Sequence, residues 1–267
     1  MTLIVGVKCS DGIVLGADGA ATFGTMGQRT IRQSVTKLHI ISHRVIVGVS
    51  GPIGLSQRIT GRIENLYQEN KFSGLNPVQA MTLIRETIWP DLFGELQAAS
   101  IAKNVIGPVA MDSAIASSIV ALPLARRPAL FQFDQQGAPE EATDDLPFIA
   151  IGSGQPTADP FLAFVRKIFW PKVLPSLEMG IFSTLWTLEH AIDTNPGGVA
   201  DPKQIIVLEK SGKDYQARQL ADEDLQEHYE AINAAETALR DFRKGLSADV
   251  AEATEVQVPQ PDIPESE

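Results

Sequence analysis

Met1-Thr2-Leu3-Ile4-Val5-Gly6-Val7-Lys8, continued after Cys9-Ser10-Asp11-Gly12 by Ile13-Val14-Leu15-Gly16-Ala17-Asp18, is the stretch that decides the fold. Two short runs rich in β-branched residues flank an Asp-Gly pair, so residues 3–8 and 13–17 read as a hairpin. The hairpin returns Asp18 to the side of Thr2. Thr2 follows Met1 directly and has a small side chain, so removal of Met1 is expected, leaving Thr2 as the mature terminus. A terminal threonine joins a hydroxyl nucleophile to its own base, because the α-amine can take the hydroxyl proton directly or through one water. The ordinary value of an α-amine is about 7.7–8.0, near enough to neutrality for this work.

A second strand pair follows, over residues 37–41 and 44–49, with a turn at Ser42-His43 and an end at Ser50-Gly51-Pro52. Lys37 opens it. A lysine near a free α-amine lowers that amine's pKa by like-charge repulsion and stabilises the threonine oxyanion. Asp18 is the carboxylate placed to hold the lysine.

The run from Thr2 through Asp11-Gly12 to Gly16-Ala17-Asp18-Gly19-Ala20-Ala21-Thr22-Phe23-Gly24 resembles the N-terminal signature of β-type proteasome subunits, most closely HslV and related bacterial proteasome homologues, those of betaproteobacteria included. Lys37 and the Val49-Ser50-Gly51 turn match the family's catalytic lysine and oxyanion glycine. Phe148-Ile149-Ala150-Ile151-Gly152-Ser153-Gly154 matches a further motif of strand, Gly-Ser-Gly and helix. The resemblance covers most of residues 2–210. One departure is about three extra residues between Asp18 and Lys37, in the loop around 25–32.

The resemblance implies Thr2 as nucleophile, Asp18 and Lys37 as its electrostatic partners, the Gly51 amide as oxyanion donor and Ser153 as a group bonding the α-amine. It implies Asp193 as a further member, from Asp193-Thr194-Asn195-Pro196-Gly197-Gly198. Pro196 stands there in place of the family's serine and has neither hydroxyl nor amide hydrogen. That serine's role is therefore vacant or taken by Thr194. Ala21, Val35, His39 and Val49 are implied around the specificity pocket, and the backbones of Thr22 and of the Gly51 segment would pair with an extended peptide. An ordinary strand histidine is the plainer reading of His39. The implied function is a threonine-type endopeptidase. It would act on unfolded polypeptides inside a homo-oligomeric double ring of six or seven subunits per ring, without cofactor or metal, and with any unfolding energy supplied by an ATP-dependent unfoldase partner. The alternatives from other classes are a non-catalytic ring subunit of the same fold and an amidohydrolase of small amides.

Composition sets bounds on this. The chain has 267 residues, 44% of them apolar, and a net charge of −11, enough for one full core and contrary to the basic face that nucleic acid requires. Six acidic residues (Asp249, Glu252, Glu255, Asp262, Glu265, Glu267) fall in the last 23 positions, which hold no Lys or Arg. No apolar run reaches the ~18 residues of a membrane span, and the single Cys9 excludes an intrachain disulfide. A cytoplasmic location is expected. No Walker or dinucleotide fingerprint is present, the four histidines show no metal-ligand spacing, and Ser153 lacks the Gly-x-Ser-x-Gly frame of a serine hydrolase.

Helical spacing of apolar residues runs over 52–70, then from Asn76-Pro77 to Leu96 with a bend expected at Pro90. Residues 104–113 read as a loop, and Glu140, Glu141, Asp144 and Asp145 as a solvated acidic one. Strands return at 117–124 and 128–134, around an Arg126-Arg127 turn, and at 147–151. Ser153-Gly154 would cap a helix over 157–170, and another covers 175–192. A closing hairpin spans 204–208 and 214–218. The order strands, two helices, strands, two helices, strands predicts an α+β fold, a four-layer αββα sandwich of two mostly antiparallel sheets. By the resemblance it is the N-terminal nucleophile hydrolase fold. The expected domains are 1–220 as the catalytic unit, an amphipathic helix at 221–244 and a disordered acidic tail at 245–267.

Overall fold

The computed structural model describes residues 2–23, 31–112, 114–124, 127–194 and 198–254. The first hairpin forms as expected: β1 (Ile4–Lys8) pairs antiparallel with β2 (Gly12–Ala17), Ile4 opposite Ala17 and Lys8 opposite Ile13. Cys9 N donates to Gly12 O across the turn at 2.9 Å, and Asp11 Oδ1 accepts Leu177 N at 2.8 Å, tying the turn to a helix far along the chain. Beyond β3 (Ala20–Phe23) and β4 (Ile31–Ser34), a two-stranded ribbon absent from the sequence reading, come β5 (Leu38–Ile41) and β6 (Val45–Ser50). Ser42 and His43 both take positive φ between them (49° and 55°), in a turn closed by Arg44 N donating to Ile41 O at 3.0 Å.

Next are α1 (Ile53–Gln68), α2 (Pro77–Ile106) and the short α3 (Val109–Asp112). Asn76 caps α2 with a reciprocal bond to Gln79, and Pro90 lies inside the helix without ending it. The loop expected over 104–113 is therefore corrected where the structure describes it. The helix continues to Ile106, and Gly107 ends it at φ 80°. The signal was missing because the buried stripe stops at Ala99, while Ile101, Val105 and Ile106 stand out in solvent. Ser113 lies outside the described residues.

Strands β7 (Ser117–Pro123) and β8 (Pro128–Phe133) match their expected places; Arg126, in the turn between them, is outside the described residues. The acidic cluster is not simply a solvated loop. Glu140 and Glu141 belong to β9 (Pro139–Glu141), paired with β8, and Asp144 holds the buried Lys8 ammonium at 2.8 Å. The rest is β10 (Phe148–Ile151), α4 (Gln155–Phe169), α5 (Leu177–Thr194), β11 (Gln204–Ser211), β12 (Asp214–Gln219) and α6 (Asp222–Thr254). Helix α4 begins two residues earlier than expected, with Gly154 at its N-cap and no side-chain cap. Helix α6 runs past Lys244, where the sequence reading ended it; residues 255–267 of the acidic tail lie outside the described residues.

One sheet has the order β10-β1-β2-β11-β12 and the other β5-β6-β7-β8-β9, with every neighbouring pair antiparallel. Three apolar layers follow from strand alternation. Ile4, Ile13, Leu15, Leu38, Ile46 and Leu130 fill the space between the sheets. Val5, Val7 and Val14, on the opposite face of the first sheet, meet Leu162, Leu185 and Trp186 of α4 and α5. Val45, Val47 and Val49 meet Leu55, Ile59 and Ile84 of α1 and α2. The architecture is the four-layer αββα sandwich, and each fully buried Leu or Ile is worth roughly 1.5–3 kcal/mol. Helix α6 belongs to the body: Leu225 and Ile232 are buried in the α4/α5 layer, and Trp186 Nε1 donates to Glu236 Oε1 at 3.3 Å. No described helix is long and apolar enough to cross a membrane.

Antiparallel pairing also fixes where the chain ends meet. Ile4 lies opposite both Ala17 and Ile151, and Gln204 opposite Ala17. The start of β1, the ends of β2 and β10 and the start of β11 therefore share one end of the first sheet. Leu38 opposite Gly48 puts the start of β5 beside the end of β6 in the second.

Candidate active site

Thr2, Asp18, Ser153 and Lys37 gather at this shared end. Asp18, fully buried one residue past β2, is saturated with donors. Its Oδ1 accepts Leu3 N at 2.8 Å and Lys37 Nζ at 2.6 Å, and its Oδ2 accepts Ala20 N at 3.2 Å and Ala200 N at 3.3 Å. Four donors thus converge on one carboxylate, two on each oxygen. One oxygen binds both the amide after Thr2 and the lysine ammonium, which ties the cation to the residue next to Thr2. Burial pushes the Lys37 ammonium below the ordinary lysine value, and the charge and hydrogen bond of Asp18 partly restore it.

Thr2 itself is partly exposed. Its nitrogen donates to Ser153 Oγ at 3.1 Å, and its carbonyl accepts Gly154 N at 3.2 Å and the Ser153 hydroxyl at 3.4 Å. That nitrogen is an amide while residue 1 is attached and becomes an α-amine once it is removed. Both Ser153 bonds run to Thr2, so the hydroxyl serves the terminus; the helix-capping role read from the sequence is not the one it plays. Gly152 makes this approach feasible. At φ +97° a Cβ would stand 2.2 Å from Thr2 O, so any side chain there would push the main chain of Thr2 out of place.

Gly51 ends β6 at the surface, and a Cβ on it would fall 2.7 Å from that of Ala116 and 2.8 Å from Ile115 O. Val35 N donates to Gly19 O at 2.9 Å, which holds the approach to Lys37 against the end of β2. His39 and Val49 face the helical layer of the second sheet. His39 lies opposite Val47 in β5, half-buried and with its imidazole pushed toward the neutral form by burial. Val49 is packed in the core under α1. Lys37 precedes β5 and reaches across to the first sheet. Ala21 and Thr22 sit in β3 opposite Gln33 and Arg32, with their side chains outside the description.

Asp193 makes no hydrogen bond or ion pair with the cluster among the described residues. It is exposed near the end of α5; burial chiefly raises the nearby Glu189 carboxyl, and the charge of Asp193 adds to that. Thr194 spends its hydroxyl on His190 O at 2.6 Å, and Asn195, Pro196 and Gly197 lie outside the described residues. Cys9 is buried, and burial holds its thiol far above the ordinary range, so it stays protonated and inert. The sequence reading missed Ala200, a donor to Asp18, and Gln204, whose Oε1 accepts Lys37 N at 2.7 Å. Neither carries a local signal, since both act through a contact made only by the fold.

Comparison with known proteins gives concordant results. The proteasome subunit family model matches residues 2–164, more than half of the chain. The proteasome subunit beta of Methanococcus vannielii is 27% identical over 160 residues, and that of Methanococcus aeolicus 29% over 160. Each alignment spans 59% of this chain and 63% of the relative, which is less than two thirds of the relatives' length. Among solved structures, a mutant of Anbu from Hyphomicrobium sp. strain MC1 superposes with a TM-score of 0.65 at 18% identity. Anbu (ancestral beta-subunit) from Yersinia bercovieri superposes at 0.61 and 16%. Both comparisons cover 98% of this chain and 100% of the other, and they fix the fold from end to end.

Proposed function

The chain belongs to the proteasome subunit family, and from that premise we propose that it is a threonine peptidase whose nucleophile is Thr2 once residue 1 has been removed. The α-amine, hydrogen-bonded to Ser153, takes the Thr2 hydroxyl proton while Oγ attacks the scissile carbonyl. The Gly51 N–H receives the developing oxyanion. The proton passes from the amine to the departing nitrogen, the C–N bond breaks, and an ester remains on Thr2. Water, deprotonated by the same amine, attacks the ester and releases the acid, restoring the hydroxyl. Lys37, fixed by Asp18, keeps a positive charge beside the nucleophile and so favours both the neutral amine and the alkoxide-like attack.

One observation carries the reading: a buried carboxylate shared between the lysine ammonium and the amide adjoining Thr2. A purely structural end of a sheet has no use for an ion pair whose burial costs several kcal/mol per ion. Asp193 takes no part in this mechanism. An extended substrate would pair with the β3 backbone around Ala21 and Thr22 and with the Gly51 segment. Self-association into a ring with enclosed sites is supported by the exposed apolar end of α2, where Ile101, Val105 and Ile106 lie uncovered. Incubation with unfolded casein should generate new amino termini, whereas release of ammonia from small amides with casein left intact would contradict the peptidase reading and favour an amidohydrolase.

A further inference from the structure

We propose that Gln204 is a positioning residue for Lys37, holding the lysine's backbone from the opposite sheet while Asp18 holds its tip; the inference rests on the catalytic reading above. Lys37 lies between β4 and β5, one residue outside the ladder, and β5 is an edge strand. Gln204 supplies the anchor: its Oε1 accepts Lys37 N at 2.7 Å and Leu38 N at 3.4 Å, from the first position of β11 opposite Ala17. Asp18, the residue after Ala17, receives the ammonium. These two attachment points of the lysine stand on the first sheet at the same level, one at each end of its side chain.

The chemistry of the anchor matters as well as its place. Gln204 is buried, so its carbonyl is committed to these two amides. A neutral amide holds the backbone without adding a second carboxylate to compete for the ammonium. Glutamate would keep the acceptor and add that charge; leucine would keep the bulk and lose the acceptor.

The test compares Gln204→Leu and Gln204→Glu in the full-length assembled protein. Gln204→Leu should lower kcat by about tenfold to a hundredfold with KM little changed, as expected for a catalytic group displaced by about an ångström. Gln204→Glu should recover most of that loss, while the alkaline limb of its pH profile moves to higher pH because a second carboxylate favours the protonated lysine. A packing role alone would lower the melting temperature of Gln204→Leu and leave kcat and the pH profile of the folded enzyme in place, which would overturn the proposal. If the unaltered protein turns over no peptide, the catalytic reading fails separately. The positioning role is then read from the 13Cε titration of Lys37, assigned by its loss in Lys37→Met. Burial is the main cause of its lowered value, so Gln204→Leu should move the midpoint up toward an ordinary lysine. An unmoved midpoint would overturn the proposal whatever the activity.

Discussion

Thr2→Ala should abolish peptide hydrolysis, with kcat/KM falling by roughly 10³–10⁶-fold, as when a nucleophile acting within a catalytic unit is removed. The substitution isolates the hydroxyl cleanly. The bonds that seat residue 2 run from its nitrogen to Ser153 and to its carbonyl from Ser153 and Gly154, all through main-chain atoms that alanine keeps. Its partial exposure means that little buried area is lost. The melting temperature should stay close to that of the unaltered protein while turnover disappears. Thr2→Ser, which preserves hydroxyl and amine on one residue, should retain activity. Steady-state kinetics on a fluorogenic peptide check both, and turnover preserved in Thr2→Ala would mean the nucleophile lies elsewhere.

Lys37→Met should have the second-largest effect, and on two quantities together. Removing a preorganised cation from beside the reacting atoms should lower kcat by about 10²–10³-fold. It also leaves Asp18 charged and fully buried without its cation. Breaking a buried pair by deleting one partner costs about 3–5 kcal/mol. Leu3, Ala20 and Ala200 still donate to the carboxylate, which places the expected loss toward the lower end. Chemical denaturation and kinetics measured side by side separate the two effects. The unaltered enzyme should show a bell-shaped kcat/KM profile. Activity rises as the α-amine loses its proton and falls as Lys37 loses its own, the latter below the ordinary lysine range because burial disfavours the ammonium. In Lys37→Met the alkaline limb should vanish.

How much of this could be read from the sequence depended on whether a residue acts through its neighbours in the chain or through the fold. The hairpins at Cys9-Ser10-Asp11-Gly12 and Ser42-His43 announce themselves through turn residues between β-branched runs, and both form where expected. The two-sheet sandwich follows from their order. Local signals fail where burial stops: α2 outruns its apolar stripe, and β9 is a polar edge strand of Pro139, Glu140 and Glu141 that alternation cannot reveal. In the site, Asp18, Lys37 and Ser153 were named in the sequence and do converge around Thr2. Asp193 was named from a motif broken by Pro196, and it is exposed near the end of α5. Val49 is buried in the apolar cluster it shares with Leu55 and Ile59 of α1. Gln204 and Ala200 were invisible because their contacts span more than 160 residues of chain and exist only once β11 lies beside β2.

The central claim is that one residue carries both a free amine and the attacking hydroxyl, and intact-mass spectrometry before and after treatment with a peptide epoxyketone tests it most directly. This reagent closes a ring with the hydroxyl and amine of a terminal threonine. The account predicts a mass lacking Met1, a single adduct per chain, and fragment ions that place it on Thr2. A chain that retains Met1 in its native state, or loses Met1 and takes no adduct while still cleaving peptides, would contradict the account.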